Sequence, residues 1–309
     1  MSDENSILPS TNESAVGTGG ITLYGFTVPR LKVANAVAFA ATLIFNYISS
    51  SRIISPYGIG TISRKYPTII TPASGAFAIW LFIYCLQFGF IIYQFYWPKE
   101  TEAVLSRDIG FWYVSSCIFN SLWIIVFTQG TSTAMYFSVL TIFLLLFSIC
   151  MIYVRTKCWW KERTSVIETI ILDVHFSMYG GWVTVASIVN TSIAITTIWD
   201  ATPEAAVTCS IIMLVVALLL NVVIVLYRRD PVWGGVLCWA TYFISVKSEN
   251  SVHTTALFVC VFIGCLSVAV AVWNAVSLSR RRKSTQDQNI YNNSVHLLKE
   301  TPPSVLEKN

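Results

Sequence analysis

Eight long apolar stretches separate the polar segments of this 309-residue chain, and they decide which folds are open to it. A helix needs about 20 apolar residues to span a bilayer, within a range of about 17–25. Six stretches reach that length comfortably, the first is marginal, and the seventh is short enough to be shielded by neighbours or re-entrant. None alternates in polarity as the strands of a membrane barrel do. The sequence therefore predicts an all-α, polytopic transmembrane helix bundle of about eight spans. The stretches are about Val33–Ser49, Ser74–Tyr96, Ile109–Thr128, Ala134–Val154, Val174–Trp199, Ala206–Tyr227, Val232–Val246 and Val252–Leu278.

The composition excludes a water-soluble globule and a disordered chain. Hydrophobic residues make up 55% of the sequence and charged residues only 12%, whereas soluble domains carry about 25% charged residues. Most of the eight cysteines lie inside apolar stretches, where a thiol behaves as a small hydrophobic group, and no pair has CxxC spacing. We therefore expect the lipid bilayer to be the main partner of this chain, and we expect no metal site.

The lysine and arginine residues predict how the bundle is oriented, because cytoplasmic loops are enriched in them. If the N-terminus and the even-numbered connections share one side, sixteen of the twenty Lys and Arg residues lie there. Both termini are then cytoplasmic. A seven-helix receptor, the natural alternative for a chain of this size, would need an external N-terminus and one span fewer. The four basic residues of the opposite side are Arg52, Arg64, Lys65 and Lys247.

The distribution of polar residues predicts four segments. Residues 1–32 form a polar N-terminal tail, residues 33–199 hold the first five spans, residues 200–279 hold three more, and residues 280–309 form a basic, then polar, cytoplasmic tail. We expect disorder in about the first 25 residues and beyond Ser284. The basic start of the tail is predicted to be a stop-transfer anchor that also attracts anionic lipid headgroups. This cluster consists of Arg280, Arg281, Arg282 and Lys283.

Polar and aromatic side chains recur at helical spacing in three of the spans. An amide that faces lipid leaves its hydrogen bonds unmade, at a cost of several kcal/mol, so these side chains are expected to point into the bundle. They are either interhelical contacts, worth about 0.6–2 kcal/mol each, or the lining of a ligand cavity with aromatic walls and a few amide groups. The spacing leaves both interpretations open. The residues are Phe77, Trp80, Tyr84, Gln87 and Gln94 in the second span, Trp112, Ser116, Asn120, Trp123 and Phe127 in the third, and Trp182, Ala186, Asn190 and Ala194 in the fifth.

Charged and catalytic residues are scarce. The predicted spans contain no Asp, Glu, Lys or Arg, which counts against proton relays, voltage sensors and ion-coupled carriers. No HExxH, GxSxG or GxxxxGK[ST] motif occurs, so we expect no catalysis, no cofactor and no nucleic-acid partner. His175, at the start of the fifth span, is expected to be an interfacial residue, with a local polar pair to Asp173 as the alternative. The sequence leaves the oligomeric state open.

Three motifs at these positions resemble the tryptophan-rich sensory protein and translocator family (TspO/MBR). The stretch from Lys65 to Tyr84 resembles its proline-rich loop and second helix, with Phe, Trp and Tyr at the family spacing. Asn120-Ser-Leu-Trp123 resembles its third-helix Asn-x-x-Trp, and the stretch from Tyr179 to Asn190 resembles its fifth-helix Trp-x-x-x-Ala-x-x-x-Asn. The three motifs occur in the family order within about residues 34–198.

The resemblance is strongest to a longer, eight-helix branch of that family. It implies a five-helix TspO-like unit followed by three additional helices and an Arg228-Arg229-Asp230 turn. It also implies a pocket for a small hydrophobic or aromatic ligand, such as a tetrapyrrole or a sterol, used for sensing or transport. The alternatives are a carrier or channel for another small solute and a non-catalytic membrane scaffold. The candidate ligand-binding residues are Phe77, Trp80, Tyr84, Gln87, Asn120, Trp123, Trp182, Ala186 and Asn190.

Overall fold

The computed structural model describes residues 28–97, 102–159, 163, 165–198 and 202–300. Every regular element among these residues is helical, so the predicted all-α fold class is confirmed. A 3-10 turn, Ser74–Ala78, leads into α3, and π-helical segments, Val104–Ile109 and Thr169–Val174, precede α4 and α7. The α-helices are α1 (Val28–Ser50), α2 (Ile59–Lys65), α3 (Ile79–Tyr93), α4 (Trp112–Phe127), α5 (Ser132–Arg155), α6 (Val166–Glu168), α7 (His175–Ile198), α8 (Pro203–Arg228), α9 (Pro231–Lys247) and α10 (Asn250–Glu300).

Each of the eight predicted spans corresponds to a helix, but two of the helices are short. Six helical segments of the described chain are long and apolar enough to cross a membrane. The other two, α4 with 16 residues and α9 with 17, measure about 24–26 Å at 1.5 Å per residue. A typical hydrocarbon core is about 30 Å thick. The short seventh span, α9, packs against α7, α8 and α10, so neighbouring helices shield it.

The first five spans close into a ring. Helix α1 contacts α3 and α4, helix α5 contacts α4 and α7, and α7 returns to α3. The order around the ring is therefore α1, α3, α7, α5, α4. The amide side chains of Gln87, Asn120 and Asn190 are all at most 2% exposed, as the cost of an amide in lipid requires.

The three additional helices dock on this ring through one of its members. Helix α9 packs against both α8 and α10 and also against α7. The contact with α7 depends on two glycines. A Cβ on Gly180 would lie 2.6 Å from the ring of Trp233, and a Cβ on Gly181 would lie 3.1 Å from Cβ of Val236. Larger residues at these positions would push α9 away from the ring.

The turn between α8 and α9 fixes one end of α9 to the ring. Oδ1 of Asp230 accepts hydrogen bonds from the backbone N–H groups of Val232 (2.9 Å) and Trp233 (3.0 Å), which caps the helix. The hydroxyl of Tyr153, at the end of α5, donates to Oδ2 of Asp230 over 2.8 Å. Burial raises the pKa of Asp230 to about 6. The turn therefore joins the additional helices to α5.

Polar contacts link the connections at one end of the bundle. The ammonium of Lys32, near the start of α1, donates to Oε1 of Glu102 in the α3–α4 connection over 2.6 Å. The amide of Asn274 in α10 donates to the backbone carbonyl of Arg229 over 2.8 Å. These contacts gather the start of α1 with even-numbered connections, as alternating spans require. That this end faces the cytoplasm stays a prediction.

Two predicted tail boundaries are wrong. Residues 28–32 belong to α1, where Pro29 lies in the first turn and suits a helix start. Disorder beyond Ser284 is also wrong, because α10 continues to Glu300. Neither glycine nor proline interrupts the sequence between Gly264 and Pro302, and a helix is disfavoured at the residue before proline. The prediction for residues 1–27 lies outside the described residues.

Asp173 pairs with an arginine rather than with His175. Its Oδ1 lies 2.6 Å from Nη2 of Arg163, and both side chains are only 3% exposed. The same guanidinium also donates to the backbone carbonyl of Thr156 over 3.1 Å. The loop that follows α5 is thereby tied to the start of the fifth span.

His175 is buried inside the bundle, and its position relative to the membrane interface stays a prediction. Its imidazole is 0% exposed and lies among aromatic rings, with centroids 4.3 Å from Phe176 and 5.9 Å from Phe90. The helical stretch that contains it begins at Val166, nine residues earlier, so His175 does not lie at a helix end.

Replacing Asp173 by Asn breaks the buried ion pair and leaves the Arg163 guanidinium without its carboxylate. We expect the free energy of unfolding to fall by about 3–5 kcal/mol, measured by denaturant unfolding in detergent micelles. The matched control is Asp108→Asn, since Asp108 pairs with an Arg107 side chain that is 63% exposed. That change is expected to cost about 0–1 kcal/mol. Equal losses in the two variants would contradict the assignment.

Candidate ligand-binding site

A small cavity lies between α3, α4 and α7, beneath the short helix α2. Its volume is about 40 Å³, and aromatic and aliphatic side chains form nearly all of its wall. Ile59 and Ser63 of α2 close one side. Six of the nine predicted site residues line it, and they come from three different spans. These six are Phe77, Trp80, Trp123, Trp182, Ala186 and Asn190.

The remaining three predicted residues lie behind the cavity wall. Tyr84 stacks on Trp80, with ring centroids 5.5 Å apart. Gln87 accepts a hydrogen bond from the hydroxyl of Tyr113 over 3.2 Å, and Asn120 is completely buried in α4. The structure thus brings all nine residues into the ring interior, but only six of them border the open space.

Trp80 is the aromatic side chain that joins the walls. Its ring lies nearly parallel to Trp123, with centroids 6.5 Å apart, and nearly perpendicular to Trp182, with centroids 6.3 Å apart. Phe77 meets Trp182 edge to face at 6.0 Å. Aromatic pairs of this kind contribute about 0.5–1.5 kcal/mol beyond their buried area. The four rings therefore form a packed cluster with the cavity at its side.

A chain of hydrogen bonds fixes the polar part of the cavity. The indole Nε1 of Trp123 donates to Oδ1 of Asn190 over 2.8 Å. The amide Nδ2 of Asn190 donates to the hydroxyl of Ser138 over 2.8 Å, and that hydroxyl donates to the carbonyl of Met135 over 2.7 Å. Helices α4, α5 and α7 are joined in this way. The Trp123 indole and the Asn190 amide are consequently held in one orientation.

The first span supplies an amide that the sequence reasoning did not select. The hydroxyl of Tyr84 donates to Oδ1 of Asn46 over 2.9 Å, and Nδ2 of Asn46 donates to the carbonyl of Thr42 over 2.8 Å. Asn46 is an uncharged amide inside a predicted span, so the argument that selected Gln87, Asn120 and Asn190 applies to it equally. The sequence alone therefore indicates that the Asn46 amide points into the bundle.

Three of the nine predicted site residues carry a buried donor that has no hydrogen-bond acceptor among the described residues. They are the indole Nε1 of Trp182, the amide Nε2 of Gln87 and the amide Nδ2 of Asn120. Leaving a buried donor unpaired costs about 1–3 kcal/mol. The Trp182 ring lines the cavity, but its Nε1 is buried away from the open space, so an acceptor atom on a bound molecule would reach this N–H only after the wall moves.

The cavity is small in this structure. Small-molecule pockets usually measure about 300–1,000 Å³, many times the volume present here. Helix α2 is the cover, since Ile62 is fully buried beneath it. The ammonium of Lys65 and the hydroxyl of Tyr66 both donate to the carbonyl of Gly130, over 2.9 and 2.8 Å. A larger ligand would need this cover to move.

Replacing Asn190 by Leu removes the acceptor of the Trp123 indole and the partner of Ser138. We expect the free energy of unfolding to fall by about 1–3 kcal/mol, because a buried N–H loses its acceptor. The measurement is denaturant unfolding in detergent micelles, with near-ultraviolet circular dichroism to follow the tryptophans.

The matched control is Asn221→Leu in α8. Asn221 is equally buried, but Nδ2 donates to Ala217 of its own helix and Oδ1 has no partner among the described residues. A leucine there is expected to be nearly neutral. If Asn221→Leu costs as much as Asn190→Leu, the interhelical hydrogen bonds of Asn190 do not have the role described.

Comparison with protein families gives one finding for this chain. The family model described as TSPO-like protein matches residues 32–273. That range includes all nine candidate residues, the cavity and most of the three additional helices. No curated protein and no solved structure matches the chain.

Proposed function

This chain belongs to the TSPO-like protein family and is an integral membrane protein, and from that premise we propose that it binds a small hydrophobic or aromatic ligand in the cavity between α3, α4 and α7. The ligand class is a tetrapyrrole or a sterol, and the binding serves sensing or transport without catalysis. One observation carries the proposal. Trp80, Trp123 and Trp182 come from three different spans and meet at one cavity.

The chemistry of the walls favours a flat, largely apolar ligand with an acceptor atom. Indole and phenyl rings offer both faces and edges to a flat ring system. The indole N–H of Trp182 provides a donor without a protein acceptor among the described residues. Asn190 is already engaged by Trp123 and Ser138, so its role is to hold the wall. A carboxylate or carbonyl on the ligand would complete the site.

Entry requires the α2 cover to open, and its attachments are modest. Two hydrogen bonds to Gly130 contribute about 0.5–1.5 kcal/mol each. Removing the Ile62 side chain from its buried position costs about 1.5–3 kcal/mol. Burial of the apolar surface of a sterol or porphyrin offsets losses of this size. The small volume of the cavity is thus compatible with a larger ligand.

A non-catalytic scaffold is the alternative, and one observation favours it. Trp80 already contacts both other indoles, and the remaining space is only about 40 Å³. A protein whose interior serves packing alone would have such an arrangement. Ligand titration separates the two proposals, because a scaffold has no saturable site.

The test is quenching of tryptophan fluorescence in nanodiscs by protoporphyrin IX, haem and cholesterol. We expect saturable quenching by at least one of them, and about tenfold weaker binding, equal to about 1.4 kcal/mol, in at least one of Trp80→Phe, Trp123→Phe and Trp182→Phe. Trp182→Phe is the most informative variant, because it removes an unpaired N–H at the cavity wall. Its free energy of unfolding is measured alongside the titration, since the substitution also shortens a buried side chain.

The matched control is Trp273→Phe in α10, whose side chain is 60% exposed. It is expected to leave the titration midpoint unchanged. Quenching that never saturates, or an equal shift in Trp273→Phe, would indicate partition into lipid and leave the scaffold as the better account.

A further inference from the structure

The segment between α2 and α3 is held by the additional helix α9. The backbone N–H of Ala73 donates to the carbonyl of Phe243 over 3.0 Å. The indole Nε1 of Trp239 donates to the carbonyl of Ala76 over 2.9 Å. These bonds fix an irregular stretch of chain to a helix that lies outside the five-membered ring.

A third bond and a close packing contact extend this attachment. The hydroxyl of Ser248, just after α9, donates to the carbonyl of Ile69 over 2.9 Å. A Cβ added to Gly75 would lie 2.5 Å from Cε1 of Phe243. The ring of Phe243 therefore lies directly against the backbone of the segment, where only glycine leaves enough room.

This segment forms part of the cavity wall. Pro72 and Phe77 both line the cavity, and Phe77 packs edge to face on Trp182. In a membrane protein, backbone groups of an irregular segment need partners because lipid supplies none. Here α9 supplies the acceptor for Ala73 and the donor for Ala76. The position of the wall therefore depends on α9.

Helix α9 also lines a second cavity, which shares wall residues with the first. A smaller cavity of about 20 Å³ lies between α7, α8 and α9, and Leu237 and Thr241 of α9 line it. Val185 and Val189 of α7 line both cavities. The two cavities therefore share part of their wall.

We propose that Trp239 is a positioning residue for the ligand cavity, and that α9 sets the position of the Pro72–Phe77 wall through it. The three additional helices are then a functional part of the site rather than an appended bundle. The inference rests on the proposed function, since it assigns a role in the same cavity. Trp239 acts through Ala76 and Phe77 and does not line the cavity itself.

The test is hydrogen–deuterium exchange of the ligand-free protein in nanodiscs, compared among the wild type, Trp239→Phe and Ser248→Ala. In the wild type the ring centroids of Trp239 and Phe243 are 4.9 Å apart. Trp239→Phe keeps an aromatic ring at this position but removes the indole N–H. Ser248→Ala removes the hydroxyl donor to Ile69. We expect exchange in the peptide covering residues 69–78 to become at least fivefold faster in each variant, with the melting temperature unchanged.

Trp273→Phe is the matched control, and exchange in α4 and α5 is the internal control. Both are expected to remain as in the wild type. Unchanged exchange of residues 69–78 in both variants overturns the proposal, and so does an equal rise throughout α3, α4 and α5, which would reveal a general loss of stability.

A protoporphyrin IX titration of the same samples distinguishes a failure of this inference from a failure of the proposed function. If the wild type binds, we expect the affinity of Trp239→Phe to be about fivefold lower, and an unchanged affinity would overturn the positioning role. If the wild type binds none of protoporphyrin IX, haem and cholesterol, the proposed function fails. The attachment of the segment to α9 is then still decided by the exchange data.

Discussion

The hydrogen bond from the Trp123 indole to Asn190 is the interaction on which the centre of this protein depends. An amide or indole N–H inside a bilayer has no water as a hydrogen-bond partner, so its acceptor must come from the protein. Asn190 meets this requirement on both sides, by accepting from Trp123 and by donating to Ser138. Helices α4, α5 and α7 are thereby joined, and Trp80 of α3 packs against both Trp123 and Trp182.

The cavity is small, and two parts of its wall are held by hydrogen bonds from neighbouring segments. Helix α2 covers it through the Gly130 carbonyl, and α9 holds the segment that carries Phe77. Both supports consist of a few hydrogen bonds to backbone carbonyls, whereas the Trp123–Asn190–Ser138 chain lies between long helices. The side of the site formed by α4, α5 and α7 is therefore joined by hydrogen bonds between side chains, whereas the α2 side and the Pro72–Phe77 wall are joined through backbone carbonyls.

The sequence was sufficient for the helical spans, the all-α fold and the inward-facing amides, because helical periodicity and the cost of a buried amide act locally; the grouping of the tryptophans was implied by the family resemblance. It was insufficient where distant segments meet. Trp239 and Ala76 lie 163 residues apart, and no local pattern indicates their contact. His175 lies beside the start of the apolar run, yet the helical stretch that contains it begins at Val166. Asn46 differs from these residues, because the cost of an unpaired amide in lipid predicts from the sequence that it points into the bundle.

The most direct test of the central claim is the position at which a bound ligand touches the protein. A diazirine derivative of protoporphyrin IX can be photo-crosslinked in nanodiscs and the labelled residues identified by mass spectrometry. Labels in the segments 77–80 and 182–193 that unlabelled protoporphyrin IX abolishes are the predicted result. Labels confined to lipid-facing residues such as Leu140 and Phe143, which are 56% and 47% exposed, and insensitive to competition would contradict it.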